Sequence, residues 1–289
     1  GSLAVQIFWN PWNQSIAFSI NEMTKAALLL IDVQNDFHGG GSLAVPGADA
    51  DSLRIAEMIE SNIDNITDIY VTLDSHHREH IAHAKSWNSK ADGSGEYPAP
   101  FTQISHADVM SGKWFPTVRG NQQYCEDYTR ALEAKGRFQL TIWPDHCIIG
   151  TPGNDVTERL QVAFDAWSKA HNNKPVKYVR KGQNDMTEMY SAIEAEVPLP
   201  SDPMTQTNFE FVADLKRAEK LIIGGQALSH CVNYTTRDLL RYWAPRDPAD
   251  LILLLDGCSP VPGCDSSAQL FVDDMRAANV TMKLTSNAF

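Results

Sequence analysis

Residues 221–231 read Leu-Ile-Ile-Gly-Gly-Gln-Ala-Leu-Ser-His-Cys, and an amphipathic stretch from Val232 to Trp243 follows directly. A short apolar run ending in glycines, followed by a helical pattern, marks a buried strand turning into a helix. Cys231 stands at that turn, with its sulfur at the start of the helix. The unpaired N–H groups and the dipole at a helix N-terminus favour a thiolate, so a lowered thiol pKa and a nucleophile are expected there. The plainer alternative is a small buried hydrophobe.

The same alternation recurs along the chain. Apolar runs at 26–31, 69–73, 139–143, 176–179 and 251–255 join 221–225 as candidate strands. Helical stripes lie between them: Leu53, Ala56, Ile59 and Ile63; Val156, Leu160, Ala163, Phe164 and Trp167; Phe211, Leu215 and Ala218; Leu270, Val272, Met275 and Ala278. Strands alternating with helices imply a three-layer α/β/α sandwich around a mainly parallel six-stranded sheet. The nearly continuous apolar strands fit a sheet covered on both faces. Residues 23–289 are expected to form a single domain. Residues 1–22, with Phe8, Trp9 and Trp12, read as an N-terminal arm. Residues 85–120, rich in Ser, Gly, Pro and aromatics, read as a long insertion without regular structure.

Composition excludes several classes. The chain has 289 residues, of which 43% are hydrophobic, enough for a large core. A net charge of −12 and the lack of a long basic run argue against a nucleic-acid surface. No apolar run reaches the length of a membrane span. Five scattered cysteines without a CxxC pair point to a reduced, cytoplasmic protein rather than a disulfide scaffold or a structural zinc site. Gly39-Gly40-Gly41 does not continue as GxGxxG, which argues against a dinucleotide-binding oxidoreductase.

In an open parallel sheet, ligands bind beyond the carboxyl ends of the strands. The residues following the candidate strands are Asp32, Asp74 with His76, His146, Lys181 and Cys231. Together they offer a carboxylate, three potential metal ligands, a lysine and a thiol at one edge. A nucleophile, a base and an electrophile that converge in this way read as a catalytic site.

Five motifs carry a resemblance to a known family. LLLIDVQNDF with GGGSLAVPGAD (28–49), TLDSH (72–76), WPDHCIIGTPG (143–153), VRKG with YSAI (179–193) and GGQALSHC (224–231) occur in the family's order. The chain resembles the nicotinamidase/pyrazinamidase branch of the isochorismatase-like cysteine hydrolases, over roughly residues 24–84 and 139–285. The resemblance implies a catalytic triad of Asp32, Lys181 and Cys231. Asp32 would take the thiol proton and later return it, and Lys181 would hold Asp32 and favour the thiolate. It implies an oxyanion hole from the backbone N–H groups of Ala227 and Cys231, with a cis Gln226–Ala227 bond. Asp74, His76 and His146 would hold one divalent metal ion per chain, zinc in first place with iron or manganese as alternatives, and His80 is a candidate fourth ligand. Phe37, Trp143 and Tyr190 would wall a ring pocket.

The activity implied is deamidation of nicotinamide to nicotinate and ammonia through a cysteine thioester, with pyrazinamide as a second substrate. The alternative is a related cysteine hydrolase acting on another small carboxamide. The expected partner is thus a small-molecule amide, with no nucleic acid and no membrane, and with a homo-oligomer left open. Two departures from the family pattern bear on the substrate more than on the reaction. His38 stands where Cys usually follows the Asp-Phe pair. Leu228-Ser229-His230 precedes the nucleophile where Thr-Asp-Tyr is often found.

Overall fold

The computed structural model describes residues 25–117 and 122–289, so the N-terminal arm expected at 1–22 lies outside the described residues. In chain order the elements are β1 (Ala26–Ile31), α1 (Ala48–Ser61), β2 (Ile66–Asp74), β3 (Trp87–Asn88), β4 (Gln103–Ile104), α2 (His106–Met110), β5 (Phe115–Pro116), α3 (Gln122–Ala134) and β6 (Leu140–Thr141). They continue with α4 (Glu158–Ala170), β7 (Lys177–Lys181), α5 (Phe209–Leu215), β8 (Lys220–Gly225), α6 (Cys231–Arg241), β9 (Leu251–Leu254), α7 (Asp265–Ala277) and β10 (Thr281–Lys283).

Six strands form one sheet in the order β10-β9-β8-β1-β2-β7, and every pairing is parallel. Side chains of a strand alternate between faces, and here both faces are apolar. Ala27, Leu29 and Ile31 of β1 join a cluster with Phe211, Leu239 and Phe271 of α5, α6 and α7. Ala26, Leu28 and Leu30 join the opposite cluster with Ile55, Ile59, Phe164 and Trp167 of α1 and α4. Helices thus cover both faces, and the three-layer α/β/α arrangement expected from the strand–helix alternation is present.

Three expectations need correction. The run 139–143 is not a strand of the central sheet; β6 pairs antiparallel with β4 in a separate two-stranded sheet. The sixth central strand is β10, a three-residue, partly exposed edge strand with no apolar run to announce it. The 85–120 insertion has regular structure of its own. Its strands β3, β4 and β5 are two residues long, too short for alternation to register in the sequence. Its helix α2 is closed by a capping box between Ser105 and Asp108, a signal that was legible. Two helix stripes also contained an outward-facing member: Leu53 and Leu270 are exposed, while Ile55 and Phe271 are fully buried.

The strand order places a switch point at β1, which pairs with β2 on one side and β8 on the other. Among the described residues no helix is long and apolar enough to cross a membrane.

Phe164 is fully buried between α4 and the sheet. Phe164→Ala is expected to lower the unfolding free energy by about 3–5 kcal/mol, read from a urea denaturation curve at unchanged m-value. A loss below about 1 kcal/mol would mean that this layer is not the tightly packed one described.

Candidate active site

The switch-point crevice collects the side chains that the strand ends deliver. Asp32 follows β1, Asp74 and Lys181 are the last residues of β2 and β7, and Cys231 is the first residue of α6. Asp32 holds a left-handed backbone (φ 49) while its N–H donates to Thr72 O at 3.1 Å. Two glycines make the close packing feasible. A Cβ on Gly225 (φ +117) would fall 2.0 Å from Ile31 O, and one on Gly182 (φ +77) would fall 2.7 Å from His76 Cε1.

Lys181 Nζ is the hub. It lies 2.8 Å from Asp32 Oδ2, 3.0 Å from Asp74 Oδ1 and 3.5 Å from Cys231 Sγ, and it donates to Met189 O at 3.2 Å. Asp32 Oδ1 accepts from Thr72 Oγ1 at 2.6 Å. Burial alone would lower the Lys181 pKa, but Asp32 and Asp74 outweigh it and hold the ammonium well above its ordinary range. Burial also pushes the Asp32 carboxyl up, against the pull of Lys181.

The lowered thiol pKa expected for Cys231 is not found. Burial pushes the thiol well up; Lys181 pulls it back, and Asp32 and Asp74 add to the rise. A helix N-terminus cannot offset full desolvation beside two carboxylates. The resting thiol therefore keeps its proton, with Lys181 Nζ 3.5 Å from its sulfur. Asp32, whose own pKa burial has raised, shares Lys181 Nζ with that thiol and can accept its proton. The Gln226–Ala227 bond is cis, as the resemblance implies. Among the described residues neither Ala227 N–H nor Cys231 N–H donates to a protein acceptor.

On the other side of Lys181, Asp74 Oδ2 lies 3.0 Å from His76 Nε2 and 3.2 Å from His146 Nε2. The three ligand atoms sit within 4.8 Å of one another, all buried. His146 comes from the segment after β6, which is braced against the main site: His76 N–H donates to Cys147 O, and Ile149 N–H returns to His76 O. Both imidazoles spend Nδ1 on carbonyls, Gly182 O at 3.0 Å and Pro144 O at 2.8 Å. A carbonyl only accepts, so each Nδ1 carries a proton and each Nε2 turns a lone pair toward the Asp74 carboxylate. A proton on Nε2 or a cation among the three groups relieves that arrangement, and the donor set of one carboxylate and two imidazoles fits a divalent metal ion. His80 is committed elsewhere. Its Nε2 donates to Thr187 O and its Nδ1 accepts from Ala82 N–H, which leaves neither nitrogen free for an ion in this arrangement.

Phe37, Trp143 and Tyr190 line one cavity with Asp74, His146, Ala227 and Cys231. Its empty volume is about 340 Å³, mouth included. Trp143 Nε1 donates to Tyr190 Oη at 2.9 Å, which locks two of the walls. Sequence reasoning missed several participants. Gln34 clamps the Asp74 backbone with a pair of bonds, Nε2 to Asp74 O at 2.7 Å and Asp74 N to Oε1 at 2.8 Å, and Asn154 adds a third. Leu43, Val261, Glu188 and His230 complete the lining. Glu188 is buried, with Oε2 unpartnered and burial raising its pKa. Its place in TEMY, just before Tyr190, was the available signal.

No family model matches the chain. It is 26% identical over 264 residues to the nicotinamidase of Escherichia coli K12, covering 90% of this chain and 95% of that one. A solved nicotinamidase/pyrazinamidase of Acinetobacter baumannii superposes with a TM-score of 0.61 at 21% identity, covering 93% of this chain and all of that one. A pyrazinamidase of Pyrococcus horikoshii in complex with zinc gives 0.52 at 19% identity, covering 90% and 99%. The sheet order and these likenesses define an isochorismatase-like hydrolase. Within that class, the relatives that the chain resembles are nicotinamidases.

His230, next to Cys231, carries a pH signature. Burial pushes its imidazole down to about 4 from an ordinary 6.5. The unfolded chain therefore takes up this proton near pH 6.5, while the folded protein refuses it until about pH 4. Stability from this group is present above 6.5 and is lost as pH falls through that window. Unfolding free energies at pH 7 and 4.5 should drop less in His230→Phe than in wild type, by up to about 3 kcal/mol. Identical drops in the two proteins would show that His230 titrates normally.

Proposed function

We propose that this chain hydrolyses the carboxamide C–N bond of nicotinamide, and of pyrazinamide, through a thioester on Cys231. The observation that carries the reading is the contact of Lys181 Nζ with Asp32 Oδ2 (2.8 Å) and Cys231 Sγ (3.5 Å) in the wall of an aromatic cavity. An amide is a poor electrophile, so the site must make a thiolate and protonate the departing nitrogen.

The substrate ring lies between Phe37, Trp143 and Tyr190, with its nitrogen toward Asp74, His76 and His146. A divalent ion held by those three residues, with zinc favoured by the donor set, supplies a Lewis-acidic anchor for the ring nitrogen and for water. Cys231 passes its proton to Asp32 as sulfur attacks the carboxamide carbon. Lys181 stays charged and steadies both anions. Negative charge gathering on the amide oxygen meets the free N–H groups of Ala227 and Cys231. The C–N bond breaks as Asp32 returns the proton to nitrogen, and ammonia leaves. Water, losing a proton to Asp32, then attacks the thioester, which releases the acid and regenerates the thiol. The described residues fit one hydrolase domain, and five unpaired cysteines fit a reducing, cytoplasmic setting.

Ammonia release from nicotinamide by metal-loaded protein is the test. Wild type is expected to release ammonia stoichiometrically with nicotinate. Cys231→Ala, Asp32→Asn and Lys181→Met should each lower kcat by about 10³-fold or more. His146→Ala should reduce bound metal as measured by elemental analysis. Unchanged kcat in Cys231→Ala would overturn the mechanism, and unchanged metal content in His146→Ala would overturn the ligand set.

A further inference from the structure

His230 is a cavity wall whose chemistry the proposed reaction leaves unused. Its ring stands edge-on to Trp143 (5.2 Å, 89°) and tilted against Tyr190 (5.2 Å, 67°). Its Nδ1 is 2.8 Å from Ser229 Oγ. Ser229 is buried, and its oxygen already accepts from Val261 N–H at 3.1 Å. Among the described residues that hydroxyl has no acceptor other than His230 Nδ1. A buried hydroxyl proton left unspent costs free energy, so Ser229 donates to Nδ1. Nδ1 is then the bare nitrogen of a neutral ring, and the proton sits on Nε2. Nε2 has no partner among the described residues and is not sealed in the core. The cavity wall thus carries a fixed, uncharged imidazole donor beside the nucleophile.

We propose that His230 is a specificity-determining residue, whose Nε2–H donates to an acceptor atom of the substrate ring other than the one facing Asp74, His76 and His146. The inference rests on the carboxamide reading above. The ligand class it selects is a six-membered heteroaromatic carboxamide with a second ring acceptor, a diazine carboxamide. A charged imidazolium in this place would grip the anionic acid product. A neutral donor discriminates among rings without retaining the carboxylate.

The test compares nicotinamide with pyrazinamide, pyrimidine-5-carboxamide and pyridazine-4-carboxamide. Each diazine keeps the nitrogen meta to the amide and adds a second nitrogen at a different ring position. Wild type, His230→Phe (ring kept, donor lost) and His230→Gln (donor restored) are assayed for kcat/KM. His230→Phe is expected to lower kcat/KM on at least one diazine about 3- to 10-fold more than on nicotinamide. His230→Gln should recover most of that selective loss. Equal losses on all four substrates overturn the proposal. Normalising to nicotinamide within each variant cancels any general loss of fold or difference in ring reactivity. If wild type hydrolyses none of the four, the proposed function fails separately. The donor is then read by calorimetric binding of the same amides to Cys231→Ala and to Cys231→Ala with His230→Phe. A selective loss for a diazine supports the inference, and uniform or absent affinity overturns it.

Discussion

The site is organised around one buried ammonium. Lys181 is almost wholly inaccessible, and its Nζ is held by Asp32 and Asp74 at 2.8 and 3.0 Å. Removing a lysine from water is costly unless its charge is matched and its protons are used. Here two carboxylates and the Met189 carbonyl meet those needs. The arrangement carries net negative charge, so it favours a cation beside Asp74 and opposes a second free anion at Cys231. Burial first, with Asp74 adding to it against the pull of Lys181, holds the thiol protonated and raises the neighbouring carboxyl.

Asp74 joins two functional halves. Oδ1 faces Lys181 and hence the thiol; Oδ2 faces His76 and His146. A carboxylate shared in this way must not rotate, and Gln34 and Asn154 hold its backbone from outside the site. The nucleophile, through Lys181, and the ligand cluster, directly, are therefore tied to one carboxylate, which fixes the separation that a small flat substrate would span. The helix that follows the insertion takes part in the support. Tyr128 Oη accepts from Glu188 N–H, and Tyr124 Oη donates to Met186 O, so α3 braces the loop that carries Glu188 and Tyr190.

Much of this was legible in the chain. The runs 26–31 and 221–225 are apolar without interruption because both sheet faces are covered, and no other environment suits them. Gly182 after Lys181 and Gly225 before Gln226 mark backbone that no side chain could share. What misled was short or indirect. Residues 281–283 form an edge strand too brief for a pattern, whereas 139–143 look like a strand and pair outside the central sheet. His80 has the right chemistry for a ligand, but backbone partners at both nitrogens commit it elsewhere.

The sequence by itself determined the layer architecture, the strand ends and the residue types gathered there, because periodicity and local turn chemistry are written residue by residue. Protonation states, ligand orientation and the pocket's imidazole donor were decided only by the tertiary structure. Desolvation and charge pairing depend on neighbours far apart in the chain: Lys181 and Asp32, His76 and Gly182, Ser229 and Val261. A helix N-terminus beside Cys231 suggested a thiolate, and burial among distant carboxylates made it a thiol.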